Sequence, residues 1–270
     1  MKKFILILFL SIALTSVNGQ EMNLTKYVNP FIGTGGHGHT FPGASVPFGM
    51  MQLSPDTRLE GWDGCSGYHY SDTVVYGFSH THLSGTGCSD YGDILFMPLN
   101  YDAFTKSGDE YTIGNISSTF NKSNEFAQAG YYSVLLNQGN IKAELTATKR
   151  VGFHKYTFQN NSDERIFIDL KHRDEVLESD IKIISDTEIS GWRRSRNWAR
   201  DQRIYFYAKF SKPIRNYLVF SDDKNSSKID AASGKNIKAL LEFDNSGTGN
   251  EPLYVKVATS PVSTEGAKKN

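Results

Sequence analysis

Surplus charge is the first thing this sequence lacks: 29 lysines and arginines balance 29 aspartates and glutamates. A chain of zero formal net charge has no broad electrostatic footprint for nucleic acid or an anionic membrane surface. Neither is expected as a partner. Cysteine is nearly absent, with Cys65 and Cys88 alone. That excludes a disulfide scaffold and leaves two readings open, one bridge or two buried thiols. After residue 19 no run is long and apolar enough to cross a bilayer as a helix. No long segment keeps a helical period. There is neither an internal repeat nor a low-complexity tract.

What the chain does have is aromatic and glycine content. There are 14 tyrosines, 17 phenylalanines and 24 glycines in 270 residues. Many aromatics with many glycines suit sheets joined by tight turns. The first residues read as a targeting segment. Lys2 and Lys3 precede a mostly apolar stretch from Phe4 to Val17, and Val17-Asn18-Gly19 offers a small residue before Gln20. Residues 1–19 are therefore expected to be a cleavable signal peptide. No cysteine follows the cut, so a lipid anchor is not expected. The mature chain is expected in the periplasm or outside the cell.

Residues 20–73 are rich in Gly, Pro, Asn, Asp and Ser and read as long ordered loops with short strands. Beyond them the period is two. Ile141, Ala143, Leu145 and Ala147 alternate with Lys142, Glu144, Thr146 and Thr148, the pattern of a half-buried strand. Asn137-Gln138-Gly139-Asn140 predicts a hairpin back to Tyr131–Leu136. Similar runs recur at Phe153–Gln159, Ile204–Phe210, Ile237–Phe243 and Leu253–Thr259. The sum predicts an all-β fold, a large antiparallel β-sandwich over residues 20–262.

Three short motifs mislead. Gly33-Thr34-Gly35-Gly36-His37-Gly38 fits a dinucleotide-binding pattern, yet Pro30, Pro42 and Pro47 oppose the helix that reading needs. His172-Arg173-Asp174 has the letters of a kinase catalytic loop without its other signatures, and reads better as a strand end with an ion pair. His80 and His82 fall on one strand face, with His69, Cys88 and Asp90 nearby. A zinc site is conceivable, but the spacing is not diagnostic, and imidazoles bonded within a polar loop are the commoner outcome.

Longer stretches are specific. They are Tyr27-Val28-Asn29-Pro30-Phe31-Ile32-Gly33-Thr34-Gly35, then His37-Gly38-His39-Thr40-Phe41-Pro42-Gly43-Ala44. Next come Gly61-Trp62-Asp63-Gly64-Cys65-Ser66-Gly67-Tyr68 and Gly77-Phe78-Ser79-His80-Thr81-His82-Leu83-Ser84-Gly85-Thr86-Gly87, with Asp90-Tyr91-Gly92-Asp93 after it. In this order they resemble the N-terminal domain of glycoside hydrolase family 92. The resemblance implies a calcium-dependent, inverting exo-α-mannosidase, with an α-mannoside glycan as partner. It implies a β-sandwich followed by a helical barrel that carries the acid, the base and most Ca2+ ligands. On that reading residues 263–270 begin a linker to a helical domain outside this chain, and no residue here is catalytic.

Trp62 is the strongest single candidate, since an indole face packs on a pyranose and flanking glycines present it. Asp63 can accept sugar hydroxyls, or cap its own turn. Cys65, His80, His82 and Asp90 complete the substrate-binding set, with Asp93 as a further carboxylate. Trp192 and Trp198 stand among Arg193, Arg194, Arg196 and Arg200, and suit contact with the helical domain as well as any ligand. Two alternatives accompany the enzyme reading: a non-catalytic mannose-binding module and an inactive truncated fragment.

Overall fold

The computed structural model describes residues 23–101, 103–107, 110–159, 163–222, 224–244 and 251–270. The expected signal peptide lies outside the described residues. Alternating apolar residues become strands because each such strand buries one face. In Ile141–Ala147, Ile141, Ala143 and Leu145 are buried while Lys142 and Thr146 are exposed. Its partner Tyr131–Leu136 pairs in register from Leu136↔Ile141 to Tyr131↔Thr146, and Gly139 takes φ 80° in the turn.

Among the described residues the strands form two large sheets of eight and nine strands and two small ribbons. Every strand pairing between them is antiparallel. The fold is thus the β-sandwich that the periodicity predicts. In the eight-stranded sheet, Leu95–Leu99 and Ile237–Phe243 flank Glu164–Asp169. In the nine-stranded sheet, Glu175–Ile183, Glu188–Arg196, Gln202–Phe210 and Leu253–Ser260 run side by side. Buried side chains from both sheets, such as Phe96, Ile168 and Phe243 against Leu145, Phe206 and Val257, form one core.

Two features differ from the sequence expectation. Val74–Ser79 looks like one strand, but Gly77 at φ 151° divides it. Val74–Val75 joins a ribbon and Gly77–Ser79 joins the eight-stranded sheet. Leu95 side-chain atoms crowd the Gly77 Cα, the closest 2.7 Å from where a Cβ would stand. Residues 263–270, expected to open a linker, instead pack on the sandwich. Ser263 caps the helix Thr264–Lys268 by accepting from Gly266 N, a good N-cap use of serine. Ala267 is buried, and Asn270 Nδ2 donates to Thr259 O at 3.0 Å. Among the described residues no helix is long and apolar enough to cross a membrane.

Candidate functional site

The glycine-rich loops before the long strands meet at one rim. Gly61, at φ 81° and ψ 162°, occupies a region open almost only to glycine. It turns the chain into the short helical turn Trp62–Gly64 and sends the Trp62 indole outward, 55% exposed. Gly87 lets the indole edge lie against the backbone, because a Cβ there would stand 2.3 Å from Trp62 Nε1. His39 meets the ring edge-on with centroids 4.2 Å apart, and His37 at 5.0 Å. Gly85 N donates to His39 O at 2.6 Å, so three loops converge under one indole.

The polar side of the rim is equally defined. His37 Nδ1 lies 2.6 Å from Asp63 Oδ1, and His39 Nε2 lies 3.8 Å from the same oxygen. The His37 hydrogen bond holds the Asp63 carboxyl below the usual carboxylate range. An ionised, accessible acceptor thus stands beside an exposed indole. His39 sits in the left-handed region at φ 54°, an uncommon place for a non-glycine residue. Its side chain is 5% exposed, and Nε2 has no hydrogen-bond partner among the described residues. An orphaned buried ring nitrogen is costly. Gly38 makes this loop possible, since a Cβ there would fall 2.0 Å from Gly33 O. Gly38→Ala should cost about 1–3 kcal/mol by forcing the backbone apart. It should also change the near-ultraviolet circular dichroism of Trp62. A variant with wild-type melting temperature and spectrum would show that the loop gives way freely.

Below the rim lies a buried ionic layer. Asp56 faces His82 Nε2 at 3.2 Å and His172 Nε2 at 3.0 Å. Burial pushes its carboxyl up, but the two imidazoles outweigh that and hold it well below the usual range. Arg173 Nη2 donates to Ser89 Oγ at 2.6 Å and to Cys65 O at 3.3 Å, tying the Trp62 loop to the 84–93 loop. Arg173 and Asp174 both have positive φ, 54° and 56°. Arg193 restrains them from the sheet, donating to His172 O at 2.5 Å and Arg173 O at 3.0 Å. Its Nε stands 2.9 Å from Asp93 Oδ1, and both side chains are fully buried. The ion pair expected of the His172-Arg173-Asp174 motif forms, with Asp56, but the motif lies between two strands and not at the end of the first. The strand stops at Asp169, and the motif is a strained turn that anchors the site loops.

Of the six residues read as substrate-binding, Trp62 and Asp63 stand together at the surface, and the other four do not. His80 is fully buried, its Nδ1 on Ile94 O at 2.6 Å and its Nε2 on His154 Nε2 at 3.0 Å. His82 is buried between Gln52 O and Asp56. Cys65 is buried, and Cys65 and Cys88 are both free thiols. Asp90 is buried with Oδ2 accepting from Ala199 N at 2.8 Å. The strand stops at Ser79, and residues 77–82 are all buried, so the two histidines lie inside without sharing a strand face. Asp93 is likewise interior, held by Arg193. The sequence reading overlooked His37 and His39 as contacts to Trp62. An H-x-H pair on a glycine loop was visible, but nothing in the sequence links it to Asp63.

Residues 27–260 match the profile of the glycosyl hydrolase family 92 N-terminal domain. The chain belongs to glycosyl hydrolase family 92. Among solved structures it is similar to the family 92 α-mannosidase BT3965 from Bacteroides thetaiotaomicron, with 36% identity and a TM-score of 0.83. That match covers 92% of this chain and 34% of the other. It is also similar to the family's inverting mannosidase BT2199 from the same species, at 27% identity and a TM-score of 0.76, over 91% of this chain and 32% of the other. An uncharacterized secreted glycosidase of Arthroderma benhamiae shares 32% identity over 167 residues, 58% of this chain and 20% of that protein. The chain thus spans about a third of the length of these mannosidases.

Among the described residues no three of His, Cys, Asp and Glu gather to hold a metal ion. They do not fit a calcium site by themselves. A groove of about 740 Å³ lies at a sheet edge, lined by Asp174, Glu175, Asp222 and Asn236 among others. Trp62 stands on an open rim outside it.

Proposed function

We propose that this chain supplies the sugar-binding wall of a calcium-dependent, inverting exo-α-mannosidase acting on α-mannosides of mannose-rich glycans. The observation that carries this reading is the exposed Trp62 indole, propped by the His39 ring, beside the ionised Asp63 carboxylate. A pyranose has an apolar face and a hydroxyl edge. The indole suits the face, and the ionised Asp63 carboxylate accepts from the edge. Membership of family 92 supports mannose as the sugar.

Inversion needs two carboxylates about 6.5–9.5 Å apart, one as acid and one to activate water. Asp56, Asp90 and Asp93 are buried under the rim, so they hold its shape and do not meet a sugar. Asp63 binds and orients. The acid, the base and the calcium ligands are proposed to come from residues beyond these 270. Calcium, when bound, favours distortion of the sugar ring. The likeness to a secreted glycosidase and the N-terminal apolar segment support export through a cleaved signal peptide.

Titration with an α-linked mannobiose tests the reading. Trp62→Ala should weaken binding at least about tenfold, or ~1.4 kcal/mol. Its melting temperature should stay near wild type, because the indole is half exposed. Equal affinity in both proteins would remove Trp62 from the site. Binding by this chain without hydrolysis of an aryl α-mannoside fits a wall that borrows its acid and base. Hydrolysis by this chain alone would contradict that part of the proposal.

A further inference from the structure

A second exposed tryptophan is held at the same rim. Trp198 is 66% exposed, in the turn between the strands Glu188–Arg196 and Gln202–Phe210. The backbone around it is pinned on both sides. Ala199 N donates to Asp90 Oδ2 at 2.8 Å, and Asn197 Nδ2 donates to Asp174 Oδ1 at 2.9 Å. Arg194 grips Asp201 through Nε at 2.7 Å and Nη2 at 3.1 Å. A floppy turn can expose an indole by accident; a turn tied this firmly presents one.

Its position links it to Trp62. The Trp62 ring lies on Gly87, and the Trp198 turn hangs from Asp90. Three residues of extended chain span at most about 10–11 Å, so the backbone supports of the two indoles lie close together on one loop. The surroundings bear on the ligand class. Arg196, Asn197, Arg200 and Asp201, its neighbours in the turn, are all exposed. Asp174 Oδ2 is buried without a donor, and burial together with the Asp174 charge pushes the Asp90 carboxyl up. An aromatic face set among hydrogen-bonding side chains suits a sugar. Tryptophan and arginine together also suit a protein interface, and the test below separates the two.

The geometry points to Trp198 as a second sugar platform, which binds a further unit of an oligosaccharide whose first unit rests on Trp62. This rests on the function proposed above. The test compares methyl α-mannoside with an α-linked mannotriose on the whole chain by calorimetry. Wild type should bind the trisaccharide more tightly. Trp198→Ala should lose most of that gain, about tenfold, and leave the monosaccharide within about twofold. Trp198→Phe should restore most of it. Trp62→Ala should weaken both sugars. If Trp198→Ala leaves trisaccharide binding intact while Trp62→Ala abolishes it, the second platform is wrong and Trp198 serves another contact, such as docking of a protein domain. If wild type binds neither sugar, the function proposed above falls with it.

Discussion

Replacing Arg193 by methionine should destabilise the domain by about 3–5 kcal/mol, the usual cost of stranding one partner of a buried ion pair. Arg193 and Asp93 are both fully buried. Burial pushes the Asp93 carboxyl up, and the Arg193 charge pulls it only part of the way back. Without the guanidinium, Asp93 must protonate or stay charged in the interior with Thr81 and Gln202 as its remaining side-chain donors. The carbonyls of His172 and Arg173 lose their donors at the same time. Those carbonyls belong to residues beside or within the strained turn, which holds the Trp62 loop through Arg173. Sugar binding should therefore fall with stability. At roughly 2–4 °C per kcal/mol for a domain of this size, the melting temperature drops by about 6–20 °C. Replacing both partners, Arg193→Met with Asp93→Leu, should recover part of the loss, because no charge is then left unpaired. A loss below about 1 kcal/mol in the single variant would show that the pair does not hold the turn.

Acid should unfold the domain through a different part of the core. Ile94 O can only accept, so His80 Nδ1 carries its hydrogen and His80 Nε2 is left as an acceptor. His154 must then donate from Nε2, which leaves its Nδ1 to accept from Tyr156 Oη at 2.8 Å. These tautomers follow from the network. Every nitrogen is satisfied with both rings neutral, and an added proton would break the His80–His154 bond. Burial pushes the His80 ring down to about 4, and burial with the His80 charge pushes His154 well below its ordinary value. In the unfolded chain both sit near 6.5. Below that value the unfolded state binds more protons. The stability these neutral rings allow is intact above about pH 6.5 and is lost as pH falls towards about 4, at ~1.4 kcal/mol per unit per ring. Thermal melts between pH 7 and pH 5 should show this slope. His154→Phe should reduce it. A flat profile would mean that the rings already carry a proton in the folded state.

The same histidines show where sequence reading reached and where it stopped. Period-two strands were legible because burial alone decides them, as in Ile141–Ala147. In Glu188–Arg196 the apolar residues stop at Trp192, before the strand does. Its inward row carries Arg193 and Ser195, and a buried charge looks like a strand end until its partner is known. The helix Thr264–Lys268 was not legible, since five residues are too few to show a helical period. Trp62 was readable from its flanking glycines. The His37–Asp63 pair, 26 residues apart, was not. Nor was the bridge from Arg173 to the Cys65 carbonyl across 108 residues. Such contacts depend on how loops converge, and no local pattern encodes that.

The central claim is that this chain presents a sugar-binding wall built on Trp62. The most direct measurement is nuclear magnetic resonance of the indole N–H groups during titration with an α-linked mannobiose. Trp62, Trp192 and Trp198 give three such signals. The account predicts a saturable shift of the Trp62 signal while Trp192, paired with Tyr205 on the sheet face, stays in place. Saturable binding that leaves the Trp62 signal unmoved, or no binding at all, would contradict it.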